Sequence, residues 1–136
     1  MSDYTILRRA DAPDFTGDLP GAFLGYGRAL GLEQVALNVR VLAPGTAHVP
    51  PGSDAGWGHS HKTQEEIYFV VYGEVTIKLD DDVETLGPLD AVRIAPETIR
   101  AVRNDGSEEA AFIMCSIRIE DAMADAQPQA EFWGAD

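Results

Sequence analysis

The stretch GWGHSHKTQEEIYFVVYG, Gly56 to Gly73, constrains this chain more than any other. It places His59 and His61 two residues apart, ahead of the acidic pair Glu65 and Glu66, and then runs through an apolar segment that stops at Gly73. Successive side chains on a β-strand point to opposite faces, so the two imidazoles fall on the same face. Two neutral imidazoles plus a carboxylate from the next strand form a set that holds a divalent transition metal and leaves coordination positions open. The bland alternative is two loop histidines beside an edge-strand carboxylate with no common task. The pairing, the acid's position and the glycine stop together favour the ligand set.

The spacing is similar to the first signature of the cupin family. His61 is followed by four residues, then Glu66, then six residues, then Gly73, so Glu66 rather than Glu65 matches the family's carboxylate, and Gly52 lies one residue further from His59 than the family's leading glycine. The second signature resembles LDAVRIAPETIRAVRN when Asn104 sets the register. Leu89 then stands where a glycine belongs, Ala95 and Glu97 replace the ends of the P-x-G turn beside Pro96, and Arg100 stands where the family has a third histidine. Arginine stays protonated and has no lone pair to donate, so Arg100 is not a metal ligand.

This resemblance covers residues 37–119. It implies an all-β, cupin-type double-stranded β-helix (jelly-roll) barrel, with His59, His61 and Glu66 as ligands to iron, manganese, nickel or zinc. Arg100 is expected either to turn inward beside Glu66, where its charge competes with a cation and favours a small anionic or carbonyl-bearing ligand, or to lean outward toward surface acids. Tyr68 shares Glu66's parity and is expected to line the cavity and offer its hydroxyl to a ligand. Two functions follow. One is a metal-dependent enzyme of the dioxygenase, isomerase or lyase class acting on a small organic molecule, with no catalytic residue assigned. The other is a non-catalytic small-molecule-binding or sensing protein in which Arg100 replaces the metal's charge.

Composition narrows the partners. With 23 acidic and 10 basic residues among 136, the formal charge is −13, a surface that repels nucleic-acid backbones and anionic lipid. Only Lys62 and Lys78 are lysine, a balance that either a salt-tolerant or a GC-rich source produces. The single Cys115 excludes an internal disulfide framework and agrees with a reducing compartment. Neither an apolar leader nor a run long enough to span a bilayer is present, so a cytoplasmic protein is expected.

Taken in order, the chain reads as an N-terminal arm over residues 1–32, a barrel over 33–120 and an acidic tail over 121–136. Within the arm, YTILRR reads as a short strand, and Phe15, Phe23 and Tyr26 are the residues to pin it on the barrel. EQVALNVRVLAPG reads as a strand with Val35, Leu37, Val39 and Val41 on its core face. His48 reads as an exposed loop histidine, its sharper alternative being a substitute for the missing ligand. EIYFVVY is apolar on both faces and calls for a cover on its outer side, either the N-terminal arm or a second subunit, with a homodimer through this sheet favoured. The segment 74–96 reads as two hairpins with a solvated aspartate turn at Asp80, Asp81 and Asp82. Cys115 alternates with Ala111, Ile113, Ile117 and Ile119 and reads as a buried, inert thiol. The tail is expected to form a short helix and a loose end, with Phe132 and Trp133 docking on the same chain or its partner.

Overall fold

The computed structural model describes residues 3–49 and 55–134; Gly52 and the neighbouring prolines Pro50 and Pro51 fall outside them. Two antiparallel sheets form a double-stranded β-helix. One sheet orders its strands β1 (Ala22–Gly25), β2 (Val35–Leu42), β10 (Ala110–Ile117), β5 (Glu66–Tyr72) and β8 (Ala91–Ile94). The other runs β11 (Ala126–Gln129), β4 (Gly58–His61), β9 (Arg100–Arg103), β6 (Val75–Leu79) and β7 (Asp82–Leu86), with β3 (Ala47–His48) also paired to β9. Among the described residues the helices are a single 3-10 turn, Arg9–Asp11, and the short α1 (Gly27–Leu30) and α2 (Ala122–Asp125), and none is long and apolar enough to cross a membrane.

The main core lies between the sheets. Leu42, Tyr68, Val70, Val75, Ile77, Ile94, Val102, Phe112 and Met114 pack there as one cluster, each fully buried aliphatic or aromatic side chain contributing about 1.5–3 kcal/mol. Gly73 makes the chain's step from one sheet to the other. Its φ is +72°, and a Cβ there would lie 2.5 Å from the Glu109 carbonyl oxygen and 2.7 Å from Ala110 Cα, so only glycine fits without displacement. Asn104 fixes the next loop, its amide donating to the Leu42 and Glu108 carbonyls while its own oxygen accepts from Gly106 N.

Several expectations need correction. The inward face of β2 carries Arg40 and Leu42, not the valines. Val39 and Val41 face the other way, into a smaller cluster with Ala22, Leu24 and Ala111 that Ala12 and Tyr26 cover. The cause is the arm, which adds β1 to β2 in register and lays residues over the outer face, giving the valines a core of their own. Phe112 and Met114 accordingly point inward, and Cys115 is half-buried on the outer face opposite Ile67. YTILRR is not a strand. Tyr4 and Ile6 are exposed, and the arm's strand is Ala22–Gly25. Only β6 and β7 form a hairpin in residues 74–96, because β8 crosses to pair with β5. Nor is the tail loose: β11 pairs with β4 over four residues, and Lys78 donates to the Phe132 carbonyl at 2.6 Å.

Leu89 and Glu97, the two residues standing where the family has glycine, both hold left-handed backbone, with φ of +71° and +70°. That is the backbone geometry which glycine ordinarily permits. Left-handed backbone costs an L-residue about 1–2 kcal/mol, partly offset because glycine loses about 0.5–1 kcal/mol more entropy on folding. Both side chains are exposed, so little packing is lost on removing them. Leu89→Gly and Glu97→Gly are therefore expected to raise stability by up to about 1 kcal/mol each in urea denaturation; a loss of stability in both would show that these turns carry no strain.

Candidate metal centre

β4 presents the histidines because it is clamped on both sides, by β9 and by β11. The clamp is tight at Gly58, where a Cβ would meet the Phe132 ring at 2.6 Å and the Arg100 carbonyl oxygen at 2.8 Å. In register, His59 lies opposite Arg100 and His48 opposite Val102, both on β9. Residues two apart on a strand share a face, so the chain's three histidines form one row. Ring centroids are 6.1 Å apart for His48 and His59 and 5.1 Å for His59 and His61. His48 is thus buried in the interior, against the expectation of an exposed loop residue.

Glu66 opens β5 from the facing sheet. Its Oε1 lies 3.1 Å from His61 Nε2 and 3.3 Å from Arg100 Nη1, and Tyr68 donates its hydroxyl to the same oxygen at 3.5 Å. Glu65 points outward and pairs with Arg93 at 2.6 Å. One donor atom each from His59, His61 and Glu66 can be chosen so that all lie within 4.8 Å of one another. Arg100 is fully buried and turned inward; Nη2 donates to the Ala95 carbonyl at 3.1 Å, and Nε has no partner among the described residues. Of the two orientations weighed for Arg100, the one beside Glu66 is found.

Asp125, from the tail, stands behind His61. Its Oδ2 is 3.4 Å from His61 Nδ1, close enough to orient the ring but without hydrogen-bond alignment, since Nδ1 lacks a bonded partner. The carboxylate is itself held by Thr63 Oγ1 at 2.7 Å and by the Thr63 and Gln64 amides. Carbonyl and amide contacts fix the ring's backbone too: Lys62 N donates to the Asp125 carbonyl at 2.9 Å, and Glu97 N to that of His61 at 2.7 Å. Nε2 faces Glu66, on the side of the ring away from Asp125. Arg40, His48 and Asp125 carry none of the signature spacing, and only the paired strands bring them here.

Burial sets the electrostatics. It lowers His59 to about 3, with His48 and Arg100 adding charge repulsion, and lowers His48 to about 3, with Arg40 adding to it. Both rings are therefore neutral at ordinary pH and keep a lone pair. For Glu66 burial pulls upward, but the hydrogen bond and charge of His61 and then the charge of Arg100 outweigh it and hold the carboxyl below its usual range. Tyr68 is raised well above 10 by burial and by the Glu66 charge, so its hydroxyl stays protonated. The donor set fits a divalent cation chemically: two imidazoles, at least one held neutral, and an ionised carboxylate, with Arg100 as the one opposing charge.

A family model described as "Cupin domain" matches residues 45–116, more than half of the chain. The protein belongs to the cupin family. Among solved structures it is similar to a cupin protein from Bacteroides fragilis at 22% identity and a TM-score of 0.67, covering 92% of this chain and 95% of that one. A cupin 2 domain-containing protein from Halorhodospira halophila is 26% identical, with a TM-score of 0.61 over 79% of this chain and 65% of that one. A sugar phosphate isomerase of the cupin superfamily from Silicibacter pomeroyi is 24% identical, with a TM-score of 0.62 over 73% of this chain and 60% of its own. No curated protein matches the chain by sequence.

The neutral buried histidines give stability a pH dependence. Their folded values near 3 lie below the ordinary 6.5, so the unfolded chain binds more protons, and their contribution is complete above about pH 6.5 and lost as pH falls toward 3. The depressed carboxyls of Glu66 and Asp125 act in the same direction, at pH below the ordinary 4.5 and 3.8 respectively. The melting temperature is expected to fall steadily from about pH 6.5 downward, and His48→Gln to flatten that fall; a melting temperature constant from pH 7 to pH 4 would mean the rings are not buried neutral.

Proposed function

We propose that this cupin is a divalent metal-dependent enzyme acting on a small organic molecule, with His59, His61 and Glu66 as the metal ligands. The observation that carries the reading is the convergence of their donor atoms within 4.8 Å inside the double sheet. A cation held there supplies Lewis-acid polarisation of a ligand oxygen. The surrounding side chains have separable tasks. Asp125, held by Thr63, backs the His61 ring; Tyr68 offers a protonated hydroxyl; Arg100 balances charge on Glu66. Dioxygenase, isomerase and lyase chemistry all use such a centre, and fold does not choose between them.

Arg100 also supports a second reading, a binding or sensing protein without turnover. Its guanidinium already lies 3.3 Å from the carboxylate oxygen that a metal would use. Metal content separates the two. Untagged protein reconstituted with manganese, iron, nickel or zinc should retain about one equivalent of one of them by elemental analysis; less than about a tenth of an equivalent would leave the binding reading. Arg100→His should tighten metal affinity by about tenfold or more, as removing a competing charge and adding a ligand requires. Unchanged affinity would show that the guanidinium does not compete.

The assembly proposed with this function is a homodimer through the outer face of the β2–β10–β5 sheet. Val35 and Ile117 are register partners, Leu37, Cys115 and Ile67 form the next row, and Val35, Ile67, Val71 and Ile117 are each more than 40% exposed. An apolar patch of that continuity is usually covered. Light scattering on the eluting protein should give twice the chain mass, and Ile67→Lys should halve it; a wild-type monomer at high micromolar concentration contradicts the proposal.

A further inference from the structure

The strand that carries both histidines pairs mainly with the C-terminal tail. β4 meets β11 at Gly58, His59, Ser60 and His61, and β9 at His59 alone. Just before the strand, Trp133 N donates to the Gly56 carbonyl at 3.1 Å; just after it, Lys62 N donates to the Asp125 carbonyl at 2.9 Å. The tail thus runs beside the chain from Gly56 to Lys62, covering an edge that β4 would otherwise leave unpaired. Cations hold its far end. Lys78 Nζ donates to the Phe132 carbonyl at 2.6 Å and lies 4.6 Å from that ring's centroid, and the Arg103 guanidinium lies 3.9 Å from the centroid of Trp133.

Asp125 is where this strap meets the metal centre. Residues 62–65 form the turn between β4, with His59 and His61, and β5, which opens on Glu66. Because the two strands lie in opposite sheets, that turn sets how far the imidazoles stand from the carboxylate. Asp125 accepts from three consecutive amides of it. Its backbone carbonyl takes Lys62 N, its two carboxylate oxygens take Thr63 N at 3.1 and 3.3 Å, and Oδ2 takes Gln64 N at 3.2 Å. Thr63 Oγ1 adds a fourth bond, to Oδ1 at 2.7 Å. Hydrogen bonds to an ionised carboxylate are roughly twice as strong as neutral ones. Gln64 ties the same turn to β10, its Nε2 donating to the Ile117 carbonyl at 2.8 Å and to Ser116 Oγ at 3.2 Å.

We infer that Asp125 is a positioning residue for the metal centre, and that the tail is a strap through which its own docking and metal binding are coupled. The inference rests on the metal-centre reading. With Asp125 seated, the turn keeps His61 Nε2 within 3.1 Å of Glu66 Oε1; with the strap released, β4 becomes an edge strand and the turn is free to widen. Asp125 acts through the backbone of residues 62–64, so the role needs no hydrogen bond to the His61 ring. Coupling of this kind is reciprocal: a cation that prefers the docked tail tightens docking by the same factor.

The test uses the full chain, with zinc as probe and amide hydrogen exchange as a readout that needs no metal. Asp125→Ala should weaken zinc affinity by about tenfold or more, the usual weight of outer contacts that orient ligands. Asp125→Asn, which keeps one accepting oxygen, should fall between. Val75→Ala, a core truncation on β6, should lose stability yet keep its zinc affinity. Without metal, Asp125→Ala should speed exchange at Lys62, Thr63, Gln64 and the β11 amides while Val70 on β5 stays slow, and zinc should slow the β11 amides of the wild type. Equal zinc affinity in folded Asp125→Ala, an equal loss in Val75→Ala, or unchanged exchange at residues 62–64 overturns the positioning role. Should Asp125→Ala not fold, Asp125→Asn gives the same decision. A wild type that takes up no zinc overturns the metal-centre reading, and faster exchange in Asp125→Ala then still sustains the strap's hold on the histidine strand.

Discussion

A guanidinium with no solvent exposure, resting against one carboxylate oxygen, governs the interior of this protein. Arg100 and Glu66 come from strands in opposite sheets, so their contact joins the two halves of the double sheet through charge. Removing one partner of such a pair leaves a buried charge uncompensated, a cost of about 3–5 kcal/mol. His61 and Tyr68 converge on the same oxygen. Four polar side chains are therefore positioned by one another, and the strands that carry them, β4, β5 and β9, are held at one separation.

Charge is balanced inside and strongly negative over the whole chain. The formal charge of the whole chain is −13, yet the buried ionic groups include two arginines and two acids, one of which is engaged by hydrogen bonds from the tail's anchor points. Between the sheets these groups act in a low-dielectric setting, where each contact counts for more than in water. The tail belongs to this design. α2 and β11 seal β4, supply Asp125 behind His61 and seat Phe132 against Gly58.

Sequence alone carried the barrel and the clustering of His59, His61 and Glu66, because side-chain spacing on adjacent strands is a local property written into a few residues. The failures share a physical cause. Parity shows that β2 has two faces but not which one the interior receives, and the arm's own strand gave the valines a second core, so Arg40 moved inward unannounced. His48 and Asp125 lie 11 residues before His59 and 64 after His61, with no periodicity tying either to the pair. Pairing of β3 with β9 and of β11 with β4 creates their proximity, and long-range pairing leaves no local trace. Conversely, Leu89 and Glu97 looked like departures from the signature, while the backbone at both is left-handed, the conformation that glycine ordinarily permits.

The central claim is that three side chains from two sheets share one ion beside a buried arginine. Crystals soaked in cobalt or zinc, with anomalous maps collected on both sides of the metal's absorption edge, test it most directly. The account predicts a single anomalous peak bounded by His59, His61 and Glu66, with the Arg100 guanidinium displaced from Glu66 Oε1 to make room. A fully soaked crystal with no peak there and Arg100 still against Glu66, or with metal only on the outer acids, would contradict it.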